Sequence, residues 1–135
     1  MEPRYLLDTN ICIYIRQKKP QEVLRHFHAL RSGEAAISVI TFGELFYGAE
    51  KSLQRTTATE RVQELALLIP PLPLPENAAA HYGVIRAALR AQGEMIGSND
   101  LWIAAHALAG RLTLVTNNEK EFRRVHGLKI ENWTV

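Results

Sequence analysis

Cysteine, aspartate and long apolar runs are all scarce in this chain of 135 residues, and each scarcity excludes something. The single Cys12 rules out an internal disulfide and fits a reducing compartment. No stretch reaches the ~18 uninterrupted apolar residues of a membrane span. The opening Met1-Glu2-Pro3-Arg4 leads straight into an apolar strand, without the h-region of a signal peptide. A cytoplasmic protein with no membrane association is expected. A Gly-rich phosphate loop, a His-Glu-x-x-His pair, a Cys-x-x-Cys pair and a Gly-x-Ser-x-Gly elbow are all missing, which sets aside the chemistries those motifs serve. The formal charge of +2 permits a nucleic-acid partner without arguing strongly for one. What is present is a hydrophobic content of 47%, enough for a packed core and a single domain over residues 1–135.

Only two of the fourteen acids are aspartates. Asp8 closes the apolar run Tyr5-Leu6-Leu7, and Asp100 opens the run from Leu101 to Leu108. Aspartate is poorly suited to the interior of a helix or strand, so two of them beside apolar segments call for an explanation. One explanation is local: Asp8 forms a turn at a strand end and Asp100 caps a helix. The other is chemical: short carboxylate arms place oxygen rigidly, as Mg²⁺ or Mn²⁺ requires.

Hydrophobic periodicity and breaker residues predict short strands alternating with helices. Strands are expected at Tyr5–Asp8, Ala35–Val39, Leu112–Thr116 and Leu128–Glu131, with the proline-rich stretch 70–75 able to hold only an edge strand. Helices are expected at about Asn10–Arg16, from Pro20 onward, at Thr41–Glu50, Thr57–Leu68, Glu76–Ala91 and Asn99–Leu108, with a short one at Glu119–Val125. The helices ending near residues 91 and 108 should be terminated by Gly93 and Gly110. Such alternation implies an α/β fold whose short, mostly parallel sheet carries helices on both faces. Ligands of open α/β sheets bind beyond the carboxyl ends of the strands. Asp8 and Thr116-Asn117-Asn118 both lie at such ends.

Four acids are placed to converge there: Asp8, Glu44, Asp100 and Glu121. The last three fall in first turns of expected helices, where the helix dipole keeps a carboxylate ionised. Crowded carboxylates repel unless a divalent cation neutralises them. Local alternatives stand beside this. Thr41-x-x-Glu44 matches a capping box, and Asn118-x-x-Glu121 fits one loosely, with Glu119 a rival to Glu121. Capping explains Asp100 less well. Ser98 or Asn99 is the better cap, and Asp100 shares a face with Ile103, Ala104 and Ala107, where a solvated charge would not point. His26 and His28, two apart on a helix, cannot face one ligand together, and His106 lies off the Asp100 face; packing or surface roles suit the histidines. Trp102 and Trp133 suit core or interface roles. Arg86, Arg90, Lys51, Arg123 and Arg124 are candidate phosphate contacts, with solvation the plainer account of each.

These segments resemble a known family. Leu7-Asp8-Thr9-Asn10, Ile40-Thr41-Phe42-Gly43-Glu44-Leu45-Phe46-Tyr47-Gly48-Ala49, Ile96-Gly97-Ser98-Asn99-Asp100-Leu101-Trp102-Ile103-Ala104 and Val115-Thr116-Asn117-Asn118 occur in the order found in PIN-domain ribonucleases, specifically the VapC toxins of type II toxin–antitoxin systems. The segments Glu121–Leu128 and Glu131-Asn132-Trp133 also fit, so the resemblance runs end to end. It implies a PIN-like fold and a Mg²⁺- or Mn²⁺-dependent endoribonuclease, nearest the branch that cleaves initiator tRNA in the anticodon loop. By that resemblance Asp8, Glu44 and Asp100 correspond to the family's three main acids. Asp8 and Asp100 would ligate the metal, with Glu44 and Glu121 holding its waters or a weaker second ion. Many members carry an aspartate where this chain has Asn117-Asn118, so the fourth acid falls to Glu121. Asn10, Thr116 and Asn118 are the expected substrate contacts. The resemblance further implies a VapB-type antitoxin whose tail covers the cleft, a homodimer, and operator DNA bound only through the antitoxin.

Three rivals share parts of this pattern. A phosphohydrolase of haloacid-dehalogenase type needs a second aspartate two residues after the first, where this chain has Asn10. A response-regulator receiver needs an acidic pair beside its first strand. A non-catalytic module would use the same fold only to hold a partner protein, and metal-dependent cleavage of tRNA separates it from the nuclease.

Overall fold

The computed structural model describes residues 2–135; Met1 of the opening segment lies outside the described residues. Five strands form one sheet, β1 (Tyr5–Leu7), β2 (Ala35–Ser38), β3 (Pro71–Leu72), β4 (Thr113–Val115) and β5 (Ile130–Glu131), in the order β3-β2-β1-β4-β5. Every pairing is parallel, so all carboxyl ends lie along one edge. The seven helices between them are α1 (Thr9–Gln17), α2 (Gln21–His28), α3 (Val39–Glu50), α4 (Arg55–Leu68), α5 (Ala78–Gln92), α6 (Ser98–Gly110) and the single turn α7 (Glu119–Phe122). From β1 the chain runs outward through β2 to β3, then returns through α5 and α6 to β4 on the other side of β1. The reversal puts the crevice of the sheet between β1 and β4, beyond Leu7 and Val115.

Strand alternation divides the core in two. Leu6 and Leu114, both fully buried, pack with α5 and α6 against Ile85, Leu89 and Ile103. Their neighbours Leu7 and Val115 point to the opposite face, against Ile11, Ile15, Val62, Leu65 and Trp133. A strand buried on both faces reads as a continuous apolar run, which is why Tyr5-Leu6-Leu7 shows no polar alternation.

Several boundaries differ from the sequence expectation for identifiable reasons. α3 begins two residues earlier than Thr41, because Ser38 Oγ accepts from the Ile40 N–H at 3.1 Å and caps the helix at the end of β2. Thr41 is therefore inside the helix, and its buried hydroxyl lacks a hydrogen-bond partner among the described residues. α6 starts at Ser98 with Gly97 as its cap, so neither Ser98 nor Asn99 caps it. Gly93 ends α5 in the left-handed conformation, as expected (φ 69°), whereas α6 runs through Gly110 and Arg111 takes the left-handed position instead (φ 55°). Gly110 answers a spatial need: a Cβ there would meet Leu112 side-chain carbons at 3.2 and 3.3 Å. α7 stops at Phe122, and Val125 is buried without being helical. The proline-rich stretch supplies β3, an edge strand, as its missing N–H groups require.

Candidate active site

The site assembles at the crevice. β1 delivers Asp8 to the carboxyl edge, and the chain turns at once into α1, with Asp8 as its cap: Oδ1 accepts from the Thr9 N–H at 2.8 Å. Oδ2 accepts from Thr116 Oγ1, also at 2.8 Å, at the end of β4. The local account of Asp8, a turn at the strand end, is thus met in the form of a helix cap, and the same carboxylate also reaches across to the end of β4. Asp8 is only 7% exposed. Burial pushes its pKa up, with a smaller push from Glu44, against the lowering hydrogen bonds from Thr116 and Thr9.

Glu44 is not the capping-box partner of Thr41. It sits one turn further into α3, and its Oε1 accepts from Thr9 Oγ1 at 2.9 Å, across from Asp8. Asp100 lies in the first turn of α6, with its carboxylate turned back toward Gly97 and its helix face packed through Ile103, Ala104 and Ala107. Its pKa is pushed up to about 7, first by burial, then by the charges of Asp8, Glu121 and Glu44, and by a hydrogen bond with the Glu121 carboxyl. Asp100 thus senses the other three acids at once. Glu121 is held by Asn118, whose Nδ2 donates to its Oε2 at 3.1 Å. Its rival Glu119 faces elsewhere, engaged by Arg123 at 2.8 Å and Asn132 at 3.0 Å, which together hold its pKa low.

Asp8, Glu44 and Asp100 line one open, polar cavity of about 460 Å³ together with Thr9, Asn10, Asn117 and Asn118. Asn10 and Asn118, expected to touch substrate, are on its wall. Thr116 is fully buried with its hydroxyl committed to Asp8, so it positions that carboxylate in place of the expected substrate contact. Thr116 Oγ1 also accepts from the Asn118 N–H at 3.0 Å, tying the loop after β4 to the site. Thr9 and Asn117 line the cavity too, and periodicity could not single them out. Asn117 accepts from Asn10 at 3.4 Å and donates to Tyr14 OH at 3.0 Å. Their adjacency to Asp8 and to the end of β4 was the available signal.

The donor set is all carboxylate and amide oxygen, the chemistry of a hard divalent cation, and burial, followed by repulsion from its neighbours, has raised Asp100. No three of the His, Cys, Asp and Glu side chains among the described residues close tightly enough to hold an ion unaided. An open cradle of this sort fits Mg²⁺, which is bound by one or two carboxylates and retains several waters. Cys12 is buried, with its thiol pKa pushed up by that burial, and is no nucleophile. His106 is buried with Nδ1 2.8 Å from Ser38 Oγ, and His26 stacks on Trp133, both packing roles. Arg123 and Arg124 are occupied locally, by Glu119 and by the carbonyls of Glu94 and Met95. Arg86 donates to Tyr82 OH, whose ring stacks on Trp102 with centroids 3.9 Å apart.

The PIN domain model matches residues 5–128. Ribonuclease VapC2 of Haemophilus influenzae is 43% identical over 130 residues, covering 96% of this chain and 98% of the relative. The tRNA(fMet)-specific endonuclease VapC of Shigella flexneri is 42% identical over 131 residues, covering 97% and 98%. The crystal structure of DNA-bound VapBC from Salmonella typhimurium superposes with a TM-score of 0.90 at 40% identity, covering 97% and 98% of the two chains. Near-full-length likeness in sequence and in backbone places the chain in the PIN-domain family, among its VapC ribonucleases.

Proposed function

We propose that this chain, acting as one PIN domain in the cytoplasm, is the toxin of a type II toxin–antitoxin pair and a divalent-metal-dependent endoribonuclease. Initiator tRNA, cut in the anticodon loop, is the substrate; the name of the Shigella flexneri relative, a tRNA(fMet)-specific endonuclease, supports the choice of tRNA. The observation that carries the reading is the convergence of Asp8, Glu44 and Asp100 on one cavity at the β1–β4 crevice, with Glu121 near enough for its charge to act on Asp100. The family also supports a VapB-type antitoxin partner, with operator DNA reached only through it, and a homodimer. Among the described residues no helix is long and apolar enough to cross a membrane.

Asp8 and Asp100 would hold a Mg²⁺ or Mn²⁺ ion. An ion held there would supply a bound water of lowered pKa and positive charge to offset that on the scissile phosphate. Thr116 and the Thr9 N–H fix the two oxygens of Asp8, so its orientation is set before substrate arrives. Thr9 Oγ1 fixes Glu44 on the cavity wall, where it would accept hydrogen bonds from water, and Asn118 fixes Glu121, whose charge reaches Asp100 although its side chain does not line the cavity. Asn10 and Asn117 offer amide groups on the exposed wall to a phosphate or ribose. A single-stranded loop fits this open cleft better than an A-form helix, whose base edges are hidden.

Purified protein with total tRNA should produce new 5′ ends in the initiator tRNA anticodon loop, dependent on Mg²⁺ or Mn²⁺ and abolished by EDTA. Asp8→Asn and Asp100→Asn should each lose this cleavage by at least ~100-fold while remaining folded. Cleavage that survives EDTA or either substitution would refute the site. Cuts confined to mRNA or rRNA would refute the substrate and leave the nuclease standing.

A further inference from the structure

A second cavity, of about 270 Å³, opens beside the acidic one and shares Thr9 and Glu44 with it. Three helices build it. On α1, Thr9, Ile13 and Arg16 follow at i, i+4 and i+7 along one face. On α3, Glu44, Leu45 and Gly48 form the opposing wall, and α4 contributes Arg61 at the rim. The floor is apolar, through Ile13 and the buried Leu45. The rim is cationic: Arg16 and Arg61 are exposed, and neither is ion-paired among the described residues. Gly48 leaves the wall bare, since a Cβ built there meets nothing within 4 Å.

Resting on the nuclease reading above, we propose that this cavity is a nucleotide subsite that seats one unstacked base of the RNA next to the cleaved linkage, with Arg16 and Arg61 holding its flanking phosphates. The chemistry is complementary part by part. A base has an apolar face suited to the floor, its backbone phosphates require cations, and the cavity is continuous with the carboxylates that would act on the adjoining linkage. At about 270 Å³ the cavity falls just below drug-sized ligand pockets, which begin at ~300 Å³, and suits one base better than a larger ligand. The net charge of +2 provides no dominating basic field, so local cations of this kind must position the strand.

The test measures binding apart from cleavage. In an Asp8→Asn background, a fluorescent single-stranded anticodon-loop oligoribonucleotide is titrated by anisotropy with and without Arg16→Ala, Arg61→Ala or Gly48→Gln. Each arginine substitution should raise Kd by roughly tenfold and lower the slope of log K against log salt by about 0.7, the value for one lost contact to a single strand. Gly48→Gln introduces a side chain on the cavity wall at a position where a Cβ meets nothing within 4 Å; it should raise Kd while leaving the salt slope unchanged. Unchanged Kd and slope in all three would overturn the proposal, as would variants that weaken only the binding of a protein partner. Arginine-dependent binding without cleavage in the unsubstituted protein would support the subsite and defeat the nuclease reading, so the two failures are distinguishable.

Discussion

Asp100→Asn should stabilise the metal-free protein while destroying its activity. Asp100 has an ordinary pKa of 3.8 and is pushed up to about 7 in the fold. A carboxyl whose folded pKa lies above its unfolded value destabilises the fold at every pH above the unfolded value, and the penalty is complete once pH exceeds the folded value. The rise of roughly three units corresponds to a ceiling of about 4 kcal/mol at 1.36 kcal/mol per unit. Asp100 is only partly buried, and water screens the repulsion, so about 2 kcal/mol is the working figure. In a chain of this length that is a gain of roughly 6–10 °C in Tm. Thermal unfolding followed by circular dichroism at pH 8 in EDTA should therefore place Asp100→Asn above wild type. The gap should narrow as pH falls through 7 toward 4, where the wild-type carboxyl accepts a proton. Excess Mg²⁺ should then raise the wild type much more than the variant, because the ion binds a folded state that has both aspartates. An Asp100→Asn protein less stable than wild type in EDTA at pH 8, or one stabilised equally by Mg²⁺, would refute the carboxylate cluster as described.

Two further outcomes follow from hydrogen bonds at the edge of the site. Thr116→Val removes the hydroxyl from a fully buried position, leaving Asp8 Oδ2 and the Asn118 N–H each without its partner; urea unfolding in EDTA should show a loss of about 1–3 kcal/mol with an unchanged m-value. His106 is 1% exposed, and burial lowers its pKa below the ordinary 6.5, so the unfolded chain takes up its proton first as pH falls. Stability carried by the neutral ring is thus intact above pH 6.5 and is lost below it, by up to about 1.4 kcal/mol per pH unit. A His106→Leu variant should show a shallower stability slope between pH 7 and 5, and equal slopes would count against the neutral His106–Ser38 contact.

Much of the fold was legible because its signals are local. Pro70–Pro75 could enter only an edge strand, Tyr5–Leu7 could only be a strand buried on both faces, and Gly93 could take the left-handed turn that ends α5. What misled was competition between neighbouring caps. Ser38, Thr41, Ser98 and Asn99 are all good cap residues, and residue preference alone could not say which one the end of β2 or the approach to α6 would use. In α3 the answer came from tertiary structure. Ser38 sits where β2 ends and also meets His106 from α6, so the helix starts there. Gly110 was read as a terminator, and its real constraint, the close approach of Leu112, cannot be seen in sequence.

The candidate site shows the same division. Asp8 and Asp100 stood out because their residue type was rare and their apolar flanks fixed their direction. Glu44 was ambiguous for a physical reason: the i, i+3 spacing from Thr41 is the signature of a capping box, and only the position of the true cap, Ser38, releases Glu44 from that role. The hydroxyl that holds Glu44 belongs to Thr9, 35 residues away in sequence. Glu119 and Glu121 are likewise told apart by their partners: Asn132, 13 residues on, engages the first, while Glu121 is held locally by Asn118. A carboxylate's identity is visible in sequence, but its orientation is set by hydrogen-bond donors that arrive from other strands and helices. Positioning residues such as Thr9 and Thr116 are therefore the part of such a site that sequence hides best, and they are also the part on which the placement of the acids depends.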